Sequence, residues 1–141
     1  MKRTVLILAF LLAFNSSSCQ SNDDIPEAVK ISFKEKYPGE NDPDWHKDQN
    51  GNFESNFKKD GKHYRADFSP SGDWIETERS IKEKDLPKAV KNRLKEDYEN
   101  LKISEIEEVQ HHSKGLFYDV EFKKDGKKVD VEFNKDGNRI N

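Results

Sequence analysis

The chain reads as an α+β protein: a tandem repeat of one helix plus about four antiparallel strands, forming one antiparallel sheet with both helices packed on one face. Three observations predict this. The stretch FKKDGK stands at Phe57–Lys62 and again at Phe122–Lys127. A second pair, DIPEAVK at Asp24–Lys30 and DLPKAVK at Asp85–Lys91, precedes each copy and opens a run with helical spacing. Around each FKKDGK, apolar and polar residues alternate, which is the period of a half-buried strand.

The first pair of segments aligns at an offset of 61 and the second at 65, so residues 24–79 and 85–141 read as two copies of one unit. Phe68 then falls on Phe133, Gly72 on Gly137 and Ile75 on Ile140. Two copies are too few to stack as a solenoid, so they are expected side by side in one domain spanning 24–141. Each unit opens with a helix. Pro26 and Pro87 suit a first turn, where a missing N–H costs nothing. Asp24 and Asp85 stand just upstream, where an acid favours the positive helix end. Val29, Phe33 and Tyr37, like Val90, Leu94 and Tyr98, recur every four residues and so share one helix face. Pro38–Gly39 ends the first helix.

Strands follow. Asp60–Gly61 and Asp125–Gly126 suit two-residue hairpins, whose type I′ turn needs positive φ at both central positions. That turn fixes the register. Phe122 should face Val129, Val120 face Val131, and Tyr118 face Phe133. In the first copy Phe57 should face Tyr64, Ser55 face Ala66, and Phe53 face Phe68. Each hairpin thereby gains one apolar face. Asn50–Gly51, Ser71–Gly72, Lys114–Gly115 and Asp136–Gly137 mark the remaining turns.

Composition agrees with a thin, aromatic-rich core. Charged residues are 38% and hydrophobic ones 32%, yet 9 Phe, 4 Tyr and 2 Trp argue against disorder. Residues 1–18 read as a signal peptide: Lys2 and Arg3, then the apolar run Val5–Phe14, then Ser16–Ser18. Its removal takes away Lys2 and Arg3 and moves the formal charge from −3 to −5. The single cysteine, Cys19, cannot form an internal disulfide. Its place after the apolar run resembles the lipid-attachment cysteine of bacterial lipoproteins, although Ser16 stands where Leu is usual; cleavage nearby would instead leave a free thiol. Residues 19–23 then form a polar tether. This places the protein at an outer membrane, facing periplasm or cell surface, with contact to the membrane only through lipid.

The openings IPEAV and LPKAV, the tyrosine closing each helix, and the pattern F-x-x-D-G followed by F-x-x-x-G resemble the PepSY-like, β-lactamase-inhibitor-like domains of secreted Bacteroidetes-type proteins. The resemblance covers nearly all of 24–141. It implies a tandem helix-plus-sheet architecture whose open sheet face grips another protein. It carries over no catalytic residue.

Few residues suggest chemistry. No G-x-S-x-G turn is present. His111 and His112 are adjacent, and strand neighbours point to opposite faces, so they should not share an ion. Asp48–Asn52 and Asn134–Asn138 contain fragments of a calcium loop without its full spacing, and turn chemistry explains both. No cofactor is implied. Nucleic acid is not an expected partner, because the lysines are scattered among acids. One constellation stands out. Asp119, Glu121, Asp130 and Glu132 should point outward, with Glu121 facing Asp130 and Asp119 facing Glu132; Glu54 should face Asp67 likewise. Phe117 and Trp74 should join that outer face. Like charges directly opposite destabilise a sheet, so this patch suggests a grip for a basic protein or peptide. Arg65 and nearby lysines would partly neutralise it. The expectation is a non-enzymatic binding or inhibitor-like module, with an envelope Ca²⁺-binding or stress-related protein as the alternative.

Overall fold

The computed structural model describes residues 25–41 and 43–141. The expected signal peptide at 1–18, the expected tether at 19–23 with Cys19, and Asp24 lie outside the described residues. Helix α1 (Glu27–Lys36) precedes strands β1 (Asp44–Lys47), β2 (Phe53–Lys59), β3 (Lys62–Phe68) and β4 (Trp74–Ser80). A 3₁₀ turn at Glu83–Asp85 leads into α2 (Lys88–Asp97), then β5 (Lys102–His111), β6 (Gly115–Lys124) and β7 (Lys127–Phe133). All seven strands form one antiparallel sheet in chain order. The second half thus holds three strands rather than four; past Phe133 only an isolated bridge to Arg139 continues the pairing.

Pro26 and Pro87 occupy the N-cap positions, just outside the first turn. Each has extended ψ and so aims the chain into the helix without needing an N–H. Both helices close on a tyrosine whose N–H donates to the carbonyl four residues back, Phe33 for Tyr37 and Leu94 for Tyr98.

The hairpin registers follow the turn chemistry. Asp60 and Asp125 both have φ of 50°, each followed by a glycine at positive φ. Phe57 pairs with Tyr64, Ser55 with Ala66 and Phe53 with Phe68. Phe122 pairs with Val129, Val120 with Val131 and Tyr118 with Phe133.

Two buried clusters form around these faces. Val29, Phe33 and Tyr37 of α1 share one with Trp45, Phe57 and Phe68. Val90 and Leu94 of α2 share the other with Ile106, Val120, Phe122 and Phe133. The end of the second face opens to solvent: Val129 is 40% exposed. At the far end of each half a turn glycine meets a helix. A Cβ on Gly72 would lie 2.7 Å from the Ala28 carbonyl oxygen, and one on Gly137 would lie 2.8 Å from that of Ala89. Only glycine permits both this approach and the positive φ found there.

Candidate acidic interaction face

Residues alternating with the buried ones line the opposite side of the sheet. Cross-strand register arranges them in rows. One row runs His46–Glu54–Asp67–Glu76–His111 across β1 to β5. Another runs Ser80–Glu107–Asp119–Glu132 across β4 to β7. Each row therefore carries three acids on three adjacent strands, with neighbours about 5 Å apart. A shorter acid row, Glu105–Glu121–Asp130, flanks the second. Between the two long rows lies a mixed one, Arg65–Glu78–Val109–Phe117.

Cations neutralise this face unevenly. At its β7 edge, Lys128 Nζ stands 2.6 Å from Glu121, and Lys114 Nζ stands 2.8 Å from Glu132. In the interior, Arg65 is ion-paired with Glu78, and its guanidinium lies 3.8 Å from Glu107 and 3.9 Å from Glu54. One guanidinium among so many carboxylates leaves charge uncompensated. Burial, then repulsion from Glu54 and Glu76, pushes the Asp67 carboxyl up to about 7. Burial, then Asp130 and Glu132, pushes Asp119 up to about 6. Burial also raises Glu107, with Glu105 and Asp119 opposing its ionisation further. Asp119 Oδ1 is buried without a hydrogen-bond partner.

The residues singled out in the sequence are only partly brought together here. Asp119, Glu121, Asp130 and Glu132 share this face in the expected register. Trp74 does not. A register shift between β3 and β4 makes Ile75 the extra residue of a bulge, and Trp74 pairs with Phe68. A bulge reverses the alternation, which turns the indole to the other side. There it packs on the α1 cluster and donates to Thr77 Oγ1 at 2.9 Å, with Lys36 Nζ 3.5 Å above the ring. Phe117 does lie in the rows of this face, directly opposite Val109, but it is buried rather than available. Lys114 reaches past its ring, 5.0 Å from the centroid, to Glu132. Asp67, Glu76 and Glu107 complete the interior rows. Glu76 and Glu107 could not be placed from sequence, because the first lies beside the β3–β4 bulge and the second pairs with Asp119 through a β5–β6 turn longer than two residues.

The histidines depart from strand alternation. His112 lies in the turn beyond β5, and its ring stacks on His111 with centroids 4.6 Å apart. His111 Nδ1 accepts from the backbone N–H of Ser113 and Lys114. The calcium-like fragments are side-chain-closed turns. Asp48 Oδ1 accepts the N–H of Asn50 and Asn52, and Asn134 Oδ1 accepts those of Asp136 and Asn138. Among the described residues no group of three or more His, Cys, Asp or Glu is disposed to hold a metal ion.

The chain folds as a seven-stranded antiparallel sheet with two helices, an α+β architecture with a charged face. Residues 51–141 match the family model described as "Putative beta-lactamase-inhibitor-like, PepSY-like", and the chain belongs to that family. Solved structures share the fold. A DUF2874 family protein from Bacteroides ovatus superposes with a TM-score of 0.73 at 22% identity, covering 82% of this chain and 84% of that one. A BLIP-like protein from Bacteroides fragilis gives 0.72 at 22% identity, with the same coverage of 82% and 84%. A protein described as "putative periplasmic" from Bacteroides eggerthii gives 0.72 at 20% identity, covering 82% and 86%. No curated protein matches the chain.

Proposed function

We propose that this is an exported, non-enzymatic binding module that grips a basic protein or peptide through the acidic face of its sheet. In this reading residues 1–18 are removed, Cys19 carries lipid at an outer membrane, and residues 24–141 form one domain. The domain is a doubled helix-plus-sheet unit, 24–79 and 85–141, whose two helices cover one side and leave the other free. Equivalent contacts support the doubling: Ala28 against Gly72 in one half, Ala89 against Gly137 in the other.

The observation that carries the functional reading is the pair of three-acid rows, Glu54–Asp67–Glu76 and Glu107–Asp119–Glu132, whose interior, among the described residues, Arg65 alone faces. Like charges aligned across neighbouring strands weaken the sheet that holds them. A partner's lysines or arginines would relieve that cost, so binding and relief coincide. The family's inhibitor-like description, the BLIP-like relative and the neighbour described as periplasmic point to the same class.

Calorimetry with a lysine-containing peptide tests this. Binding should be saturable, should weaken with salt, and should drop about tenfold or more when Asp119→Asn is combined with Glu107→Gln. Glu121→Lys with Asp130→Lys should weaken it as well, chiefly through Asp130, because Lys128 already neutralises Glu121. A parallel Ca²⁺ titration separates the cation-binding alternative; a stoichiometric response to Ca²⁺ and none to peptide would reverse the reading. Mass spectrometry of the membrane fraction decides the anchor, and an unmodified Cys19 would remove it.

A further inference from the structure

The lysines are scattered in the sequence, but the fold gathers many of them at one end of the sheet. The β2–β3 and β6–β7 turns leave the sheet at that same end, because the strands alternate in direction. Their shoulders face one another in like-charged pairs: Lys59 opposite Lys62, Lys124 opposite Lys127, Lys123 opposite Lys128. Lys102 of β5 extends the last pair into a row of three lysines. Lys128 is held by Glu121, whereas among the described residues the others have no acid within ion-pair distance. The end of the sheet is therefore a two-pronged cationic fork, in which the lysines outnumber the single aspartate, Asp60 or Asp125, at each tip.

We propose that the lysine fork of one copy docks on the acidic rows of a second copy, so that the chain assembles head to face through charge. This rests on the acidic face being a docking surface and names its occupant as another copy of the same chain. Charge complementarity favours that occupant, since both unsatisfied surfaces belong to one molecule. Spacing favours it too. Counting strands and residues in a flat sheet, Asp60 and Asp125 at the tips lie about 24 Å apart, and Asp67 and Asp119 at the row centres about 20 Å apart. Lysine side chains, each about 6 Å long, span the difference. Because docking uses two different patches, each copy offers one of each, and association propagates or closes as a ring.

Sedimentation velocity on the mature protein at about 20 mM salt should show a mean mass rising with concentration, falling to monomer at about 0.5 M, where screening shortens to a few ångströms. A fork variant, Lys59→Glu/Lys62→Glu/Lys124→Glu/Lys127→Glu, changes only turn shoulders and should be monomeric. A face variant, Glu107→Gln/Asp119→Asn, should also be monomeric. Mixed together they should form a 1:1 pair that grows no further, since each retains one working patch. Circular dichroism checks that both variants fold. Monomer at every concentration in low salt overturns the proposal. So does fork-dependent binding of the monomer to phosphatidylglycerol vesicles, which would assign the lysines to an anionic lipid surface. If the lysine peptide still binds while the protein stays monomeric, only the second-copy docking fails; if neither occurs, the acidic-face reading fails with it.

Discussion

The two buried clusters are built partly from the same side chains and partly from different ones. In the first, Trp45 of β1 pairs with Ser55 of β2, which pairs with Ala66 of β3. At the matching place in the second, Ile106 pairs with Val120, which pairs with Val131. A large indole beside two small residues thus fills a space comparable to that filled by three medium aliphatics. Ser55 is fully buried, and its hydroxyl donates to the Ala66 carbonyl at 2.9 Å, so the small polar residue is satisfied. Apart from Ile25 and Val29, the rest of the first cluster is built from rings: Phe33 stands edge-on to Phe57 at 5.1 Å and to Trp45 at 5.4 Å. The second has Leu94 where the first has Phe33, and Tyr98 stacks flat on Phe122 at 4.9 Å. Interiors are close-packed, so where Phe33, Trp45, Ser55 and Ala66 give way to Leu94, Ile106, Val120 and Val131, the two clusters keep summed volume and register rather than residue identity.

Truncating the matching rings should break both halves to similar extents. Phe68 and Phe133 are each fully buried. Phe68→Ala and Phe133→Ala should each cost about 3–5 kcal/mol, read from urea unfolding. Because β4 pairs directly with β5, each variant should still unfold in one transition. Two separate transitions would mean that the halves are independent units, and the comparison would then describe two domains.

Next in size are the turn glycines. Gly72→Ala and Gly137→Ala place a Cβ within 3 Å of a helix carbonyl and force positive φ on alanine. Each should lose about 1–3 kcal/mol from backbone strain, with the clash added. Equal losses sharpen the equivalence of the two helix-to-turn contacts; a neutral Gly137→Ala would show that α2 yields where α1 does not.

The volume argument has its own test. Ser55→Val alone adds bulk beside Trp45 and should cost about 1–3 kcal/mol. The transplant Trp45→Ile/Ser55→Val/Ala66→Val recreates the second half's trio in the first and should recover most of that loss. Failure of the triple variant to recover would show that the aromatic cluster, not volume, dictates the small pair.

Much of this plan was legible because two-residue turns carry their own instructions. Asp-Gly fixes register, and register fixes which residues face inward across two strands. That logic placed Asp119, Glu121, Asp130 and Glu132 correctly, and Glu54 with Asp67. It stopped where no tight turn governs the pairing. Nothing in the string WIETERS signals that Ile75 is an extra residue, so regular alternation puts Trp74 on the outer face where the bulge turns it inward. Nor does spacing reveal that Lys114 covers Phe117, since that contact spans a turn and ends on a third strand at Glu132. The interior acid Glu76 meets Asp67 only past the β3–β4 bulge, and Glu107 meets Asp119 through a β5–β6 turn that is not a two-residue hairpin.

The smallest predicted effect compares the two raised carboxyls. Both have an ordinary value of 3.8, raised to about 7 for Asp67 and about 6 for Asp119. The folded chain therefore holds these protons more tightly than the unfolded chain does, and stability falls as pH rises between the two values. Asp67 should weaken the fold progressively from about pH 4 to about pH 7, and Asp119 over a window that closes near pH 6. Neither contributes below the ordinary value, where both states are protonated. Asp67→Asn and Asp119→Asn should thus raise the melting temperature by a few degrees at pH 8 and do nothing at pH 3, with the difference between them opening from pH 6 to pH 7 and keeping its full size at pH 8. Solvent at these half-exposed sites limits the gain. Melting curves at pH 3, 6.5 and 8 check this. A parent protein whose stability climbs from pH 5 to pH 8, with both variants less stable at pH 8, would mean that the acids are already satisfied, and the sheet would have no charge for a partner to relieve.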